Sequence, residues 1–339
     1  MTLSVKIPVK KTQEVKAYLL ENKMVDTTHR PKKTGDYIYI AVKKKGAKKR
    51  FPFVEYEDAV LEGKEPKGGL KERLKGKLNA QEMEKVQRAY DIIGDIAIFE
   101  VPQGLEKKEK EIAEAILGLS KNVHTVLKKA GIHSDEYRTI PLKWVAGRRT
   151  KETVARENKV LLKMDVEKVY YSPRSSSERG RIVEQVKPGE DVLVMFSGCG
   201  PFTCAISRNS KARSVVGVEK NPLGHKYEEG NILLNKLKNA KAVLGDVREA
   251  VPKLGKFDRI LMPLPMNAEE FLDVALGAVK KGGVVHLYQF VNWEEREKLH
   301  KVVREACSKS GRKCRVLRIV KCGQFNPKKF RVCVDIKAE

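Results

Sequence analysis

The sequence predicts an α/β fold: a Rossmann-like sheet, parallel with one antiparallel strand, preceded by two smaller α/β or α+β domains. Three observations predict it. From about residue 166, apolar runs near 192, 214, 241, 258, 284 and 315–320 alternate with helical patterns at 177–186, 201–209, 223–238, 268–280 and 294–309, and a last run near 330–335 follows its predecessor across a short loop. The segment Val192-Leu-Val-Met-Phe-Ser-Gly-Cys-Gly-Pro-Phe202 reads as a buried strand entering a glycine turn and then a helix. Two more apolar strands end in acids, Val215-Val-Gly-Val-Glu219 and the run closing on Leu244-Gly-Asp246. Glycines and carboxylates at the carboxyl ends of parallel strands are how an open sheet builds a nucleoside pocket.

The preceding elements are shorter. Residues 1–60 read as a small module with a strand over 3–9, an amphipathic helix over 12–21 and an extended hairpin around 37–42. Glu62-Gly-Lys-Glu-Pro-Lys-Gly-Gly69 has the charge and Gly/Pro content of a linker, placed at 61–69, so the first domain is expected to be mobile. The middle domain, 70–165, is expected to hold helices over 80–90 and 107–119 and strands over 96–101, 123–127 and 160–164, with Arg148-Arg149-Thr-Lys151 in a basic loop. Residues 166–339 form the large sheet domain.

The spacing of the turn selects the ligand. Gly198 and Gly200 let the backbone turn sharply, but the third glycine of a dinucleotide fingerprint would fall at Thr203. A pyrophosphate site is therefore disfavoured. Glu219, 19 residues beyond Gly200, is placed to accept hydrogen bonds from ribose hydroxyls, and Asp246 from an adenine amino group. An adenosine without phosphates, S-adenosylmethionine, fits better than NAD. Taken singly, each of these residues is equally a turn glycine or a solvated strand-end acid; their order in the chain argues for a pocket.

Charge identifies the partner class. The chain has 69 Lys and Arg against 44 Asp and Glu, a formal charge of +25. Residues 1–50 carry 14 bases against four acids and residues 301–339 carry 12 against three, so both ends are expected to face phosphate. Heat adaptation enriches Lys and Glu together and does not account for a one-sided excess. Six cysteines between Cys199 and Cys333 form no C-x-x-C pair and have no histidine at ligand spacing, which predicts reduced thiols and no metal site. No apolar run nears the roughly 20 residues of a membrane span, and no signal-peptide core opens the chain. A cytoplasmic, monomeric protein is expected.

Val169-Tyr-Tyr-Ser-Pro-Arg174 with Glu178-Arg179, the Phe196-x-Gly-x-Gly-Pro-Phe202 turn, Gly245-Asp-Val-Arg-Glu249 and Met262-Pro-Leu-Pro265 before Phe271-Leu272 closely resemble the archaeal and eukaryotic tRNA guanine-37 N1-methyltransferases over most of the chain. The resemblance implies a class I methyltransferase domain using S-adenosylmethionine, two preceding domains that grip tRNA, and methyl transfer to N1 of the guanosine beside the anticodon. It further implies Glu178 as general base and Arg138 as the holder of O6. Tyr170, Phe196, Pro263 and Pro265 would line the cofactor pocket, Arg174 and Arg179 would meet the anticodon loop or target base, and Arg148 and Arg149 would add tRNA contacts. The chemistry asks for such a pair, since guanine N1 carries a proton that must leave while charge develops on O6. From the residues alone, Glu178 reads equally as a first-turn acid facing the helix dipole and Arg138 as a phosphate contact.

Two positions depart from the family pattern. Val194 stands where many methyltransferases place an acid, and Pro263 where Asn is common, which disfavours methylation of an exocyclic amine. The loss of that amide points to the archaeal branch that also methylates C7 of the tricyclic wyosine precursor. Asn267 is expected to serve as a helix N-cap rather than as a replacement amide. Methylation of another RNA base, and RNA binding by a catalytically dead sheet, are the alternatives.

Overall fold

The computed structural model describes residues 2–26, 29–61, 69–86, 90–131, 136–264 and 266–339. Residues cluster into two compact units, Met1–Arg73 and Leu74–Glu339. The expected linker lies largely at 62–68, outside the described residues.

In the first unit β1 (Thr2–Pro8) runs into α1 (Thr12–Glu21), β2 (Lys32–Thr34) and β3 (Tyr37–Ala41) form the expected hairpin, and β4 (Glu55–Ala59) follows. The strands make one antiparallel sheet in the order β2-β3-β1-β4. Alternation in β1 sends Val5 and Ile7 to the core, where Val15 and Leu19 of α1, spaced four apart on one helical face, cover them. A helical turn, α2 (Leu70–Arg73), ends the unit.

The second unit holds both the middle segment and the large sheet. α3 (Ala80–Lys85) starts on an Asn79–Glu82 capping box and stops earlier than expected, because Val86 takes an extended conformation and buries its side chain. β5 (Asp91–Ile93), β6 (Ile96–Phe99), α4 (Glu109–Leu119), β7 (Thr125–Lys129) and β8 (Leu142–Gly147) form a four-stranded sheet, β5-β6-β7-β8. β9 (Glu152–Glu157) and β10 (Val160–Asp165) form a hairpin. Strands β5, β8 and β9 escaped the sequence reading: they are short or half-exposed, and charges such as Glu152 and Arg156 dilute the apolar alternation.

The remaining elements are α5 (Ser176–Gln185), β11 (Asp191–Met195), α6 (Pro201–Asn209), β12 (Ser214–Glu219), α7 (Pro222–Leu234), β13 (Ala240–Leu244), α8 (Val247–Ala250), β14 (Phe257–Met262), α9 (Leu272–Ala278), β15 (Val279–Asn292), α10 (Lys298–Lys309), β16 (Cys314–Gln324) and β17 (Lys329–Ala338). They build a seven-stranded sheet in the order β13-β12-β11-β14-β15-β17-β16. β17 is the antiparallel member, inserted between β15 and β16. Val192, Leu193, Val194 and Met195 are fully buried, as a strand covered by helices on both faces requires. Strand order reverses between β12 and β14 across β11, which opens a crevice at their carboxyl ends.

The hairpin is fastened to this sheet domain by side chains imitating a strand. Asn231 on α7 and its C-cap Asn235, one turn apart, each accept from and donate to the backbone of one residue of β10: Asn231 to Lys163 at 2.7 and 3.0 Å, Asn235 to Leu161 at 2.9 and 2.6 Å. The helical i, i+4 repeat of about 6 Å matches the i, i+2 repeat of a strand.

One cysteine expectation is corrected. Cys307 and Cys314 form a disulfide, because the turn from α10 into β16 brings their Cα atoms to 6.2 Å. The other four thiols are free.

Candidate active site

The turn after β11 depends on backbone conformations that glycine supplies. Phe196, Gly198 and Gly200 have φ of 56°, 61° and 80°. Phe196 is held in this unusual conformation while its ring meets Phe271 edge to face at 5.1 Å. Gly200 then caps α6, with Pro201 at its first position.

Beneath the turn lies Glu228 of α7, which sequence reasoning missed. It is fully buried and accepts hydrogen bonds from Ser197 Oγ at 2.5 Å and Thr203 Oγ1 at 2.6 Å. A Cβ on Gly200 would lie 2.8 Å from Glu228 Cγ, and one on Gly217 would lie 2.0 Å from its Oε1. Thr203, the residue that broke the dinucleotide fingerprint, therefore anchors the turn instead. A glycine inside strand β12 was the available signal that something approaches closely there.

Burial pushes the Glu228 carboxyl up to about 8. With its folded value raised, its stabilising contribution is complete below the ordinary carboxyl range and is lost as pH rises through about 8. Glu228→Gln should therefore lose less stability than the wild type as pH rises from roughly 5 to 8, the window between the ordinary and folded values. Equal decline in both proteins, followed by calorimetry, would show that Glu228 does not titrate there.

Glu219, at the tip of β12, accepts from Gly198 N at 2.6 Å and Asn221 N at 2.8 Å. Burial raises its pKa against those backbone bonds. A carboxylate has about four acceptor positions, so two remain for ribose hydroxyls. Glu219→Ala should weaken cofactor binding by roughly 10–100-fold, the cost of charge-assisted hydrogen bonds; a wild-type dissociation constant by calorimetric titration would remove the ribose role. Asp246 caps α8, accepting from Arg248 N at 2.9 Å, and pairs with Lys220 at 3.1 Å. The backbone bond, then Lys220, holds its pKa below the usual carboxyl value.

A cavity brings these residues together with the expected catalytic pair: Gly198, Glu219 and Asp246 share its wall with Tyr170, Phe196, Pro263, Arg138 and Glu178. Glu178 occupies the first turn of α5 but is not a solvated dipole partner, being only 4% exposed. Arg181 donates to both its oxygens at 2.7 Å and Tyr288 Oη donates to Oε1 at 2.7 Å. Arg181 in turn donates to Asp335 at 3.0 Å. Behind it, Arg259 donates to His286 Nε2 at 2.7 Å, so His286 carries its proton on Nδ1 and donates that to Asp335 at 2.6 Å. His286, Cys333 and Asp335 cluster closely enough to suggest a metal, but Arg181 and Arg318 already occupy the carboxylate, and a cation between two guanidiniums is disfavoured.

Arg138 is half-buried at a φ of 56°, with Nη2 3.5 Å from Met266 O, and burial lowers its pKa. Arg174 is exposed and donates to Asp91 at 2.8 Å. Arg148 and Arg149 are exposed in the β8–β9 turn, Arg149 lying over the Trp144 ring at 5.9 Å. Pro265 lies outside the described residues.

One expectation needs correction, that of a side-chain cap at Asn267. Arg179 lines the cavity; it is 3% exposed and bound to both oxygens of Glu157 and to Ser172 O at 3.1 Å, so it also braces the Ser172-Pro-Arg174 turn. A guanidinium this buried needs a carboxylate partner, and β9 supplies it. Asn267 sits before the 3-10 turn Ala268–Phe271 in a left-handed conformation with φ 60°, and its side chain makes no capping bond. Val194 packs in the apolar layer with Ile182, Phe202 and Ile206, where an acid would be unpaired.

The TRM5/TYW2 methyltransferase domain matches residues 153–317, the TYW2 N-terminal domain 70–150 and the tRNA methyltransferase 5 N-terminal domain 4–48. The chain belongs to the TRM5/TYW2 methyltransferase family. It is 37% identical to tRNA (guanine(37)-N(1))-methyltransferase Trm5b of Pyrococcus abyssi over 99% of each chain, and the crystal structure of that enzyme superposes with a TM-score of 0.77 at 36% identity over 100% of both chains. It is 35% identical to tRNA 4-demethylwyosine(37)-methyltransferase Taw21 of Saccharolobus solfataricus, over 76% of this chain and 97% of that one. The complex of aTrm5 with tRNALeu matches with a TM-score of 0.73 at 29% identity, covering 99% of this chain and 100% of that one. The family's methyl donor is S-adenosylmethionine. Among the described residues no helix is long and apolar enough to cross a membrane.

Proposed function

We propose that this enzyme, a cytoplasmic monomer, transfers a methyl group from S-adenosylmethionine to N1 of guanosine 37 in tRNA. The observation that carries the reading is the shared cavity: acceptors suited to adenosine, Glu219 and Asp246, face the same space as an acid and a guanidinium, Glu178 and Arg138. S-adenosylmethionine supplies an electrophilic methyl group on a sulfonium. The chain's residues hold the two partners in line, which removes most of the entropic barrier. As N1 is alkylated its proton becomes strongly acidic, so a carboxylate suffices to take it. The Arg181 fork and Tyr288 hydroxyl fix the plane of Glu178, and Arg138 meets the charge developing on O6.

A second activity, on C7 of the tricyclic wyosine precursor, is supported by Pro263 on the cavity wall. Proline offers no donor or acceptor side chain to fix a purine edge, and its compact ring leaves room for a larger base. Incubating the enzyme and labelled cofactor with unmodified tRNA and with precursor-bearing tRNA, followed by nucleoside mass spectrometry, tests both. N1-methylguanosine from the first and a C7-methylated product from the second are expected. Methyl transfer to ribosomal RNA alone, or none at all, would overturn the reading.

A further inference from the structure

The cavity wall also carries a cation that the machinery above leaves unused. Arg331 of β17 lines the same cavity as Glu178 and Tyr288. In register it lies opposite Phe290, two residues from Cys333, which faces Tyr288, so it stands beside Tyr288 on one face of the sheet. Strand order separates it from the nucleoside end: Glu219 and Asp246 follow β12 and β13, whereas β17 lies beyond β14 and β15. Arg331 therefore lies on the Glu178 and Tyr288 side of the cavity.

Its position is built. β16 bulges between Lys321 and Gly323, and Gly323 lies under the guanidinium, where a Cβ would stand 3.0 Å from Nη2 and 3.3 Å from Cζ. Nη2 donates to Cys322 O at 2.9 Å. Nε is buried without a hydrogen-bond partner. Neighbouring guanidiniums are neutralised, Arg179 by Glu157 and Arg181 by Glu178 and Asp335. Among the described residues no carboxylate pairs with Arg331, which meets the Cys322 backbone and thiol and lies against Gly323. A half-buried guanidinium without counter-charge is costly unless a ligand supplies anionic oxygens.

We infer that Arg331 binds a phosphate group flanking the methylated nucleotide and so fixes the RNA backbone while the base occupies the cavity. The inference rests on the RNA-methylating reading above. The planar fork of arginine fits a phosphate bidentately, which a lysine at this position would not reproduce. The carboxylate of the cofactor's methionine offers the same anionic oxygens; placement across the switch point favours the RNA.

Arg331→Gln and Arg331→Lys should be compared with the wild type in cofactor titration and in single-turnover methylation of tRNA at several salt concentrations. Arg331→Gln should bind S-adenosylmethionine normally, bind RNA roughly tenfold more weakly, and show a salt slope shallower by about one phosphate; Arg331→Lys should keep the slope and recover part of the affinity. With the unaltered enzyme, a methylphosphonate at the phosphate 5′ or 3′ to guanosine 37 should cost a similar factor, and Arg331→Gln should be insensitive to it. Weakened cofactor binding with an unchanged salt slope would assign Arg331 to the methionine carboxylate and overturn the inference. So would wild-type indifference to both methylphosphonates, a measurement that needs no folded variant. Failure of the wild type to methylate any tRNA would instead remove the functional reading itself.

Discussion

Replacing Glu178 by glutamine is expected to lower the single-turnover rate of N1 methylation by roughly 10²–10⁴-fold, the usual contribution of a positioned general base. The fold should survive the change. Arg181 retains Asp335 at 3.0 Å, so removing the Glu178 charge does not leave a buried guanidinium unpaired. Tyr288 can donate to the glutamine carbonyl as it does to Glu178 Oε1. Cofactor affinity should likewise persist, because Glu219 ends β12, Asp246 caps α8 and the glycine turn follows β11, all apart from α5. Rapid-quench kinetics beside a cofactor titration separates the steps. An unchanged chemical rate would exclude Glu178 as base, and a parallel loss of cofactor affinity would make it a structural residue.

The second large effect concerns stability. Gly217→Ala should destabilise the large unit by roughly 2–4 kcal/mol, in the range of overpacked cores, lowering its melting temperature by about 5–15 °C. The new methyl group would stand 2.0 Å from Glu228 Oε1 and 2.8 Å from Thr203 Oγ1. Neither can retreat cheaply, since Glu228 is fully buried and anchors Ser197 and Thr203 together. Combining Gly217→Ala with Glu228→Ala should recover part of the loss, and the non-additivity measures the contact. A melting temperature equal to the wild type would mean that Glu228 does not occupy the space beside Gly217.

Both effects involve partners that no local pattern announces. The glycine turn was legible because its function is local: Gly198 and Gly200 are required by backbone conformation within five residues, and Glu219 and Asp246 sit where apolar runs end. Helices α1, α5 and α6 were legible for the same reason, through apolar periodicity and the Gly-Pro start of α6. Strands β8 and β9 were not, since half-exposed strands rich in charge resemble loops. The fate of each charged residue was illegible as well. Arg174 and Arg179 look alike in sequence, yet one is exposed beside Asp91 and the other buried on Glu157.

The sequence by itself determined the doubly wound sheet, the glycine turn and the family, because backbone geometry and side-chain periodicity act over a few residues. Tertiary structure decided which ionisable groups are spent on one another. Arg181 meets Asp335 from 154 residues away, Tyr288 reaches Glu178 from 110, and Glu228 lies beneath a turn 31 residues earlier. Such pairings follow from strand order, and a charge buried by that order must find its partner wherever the fold has placed one.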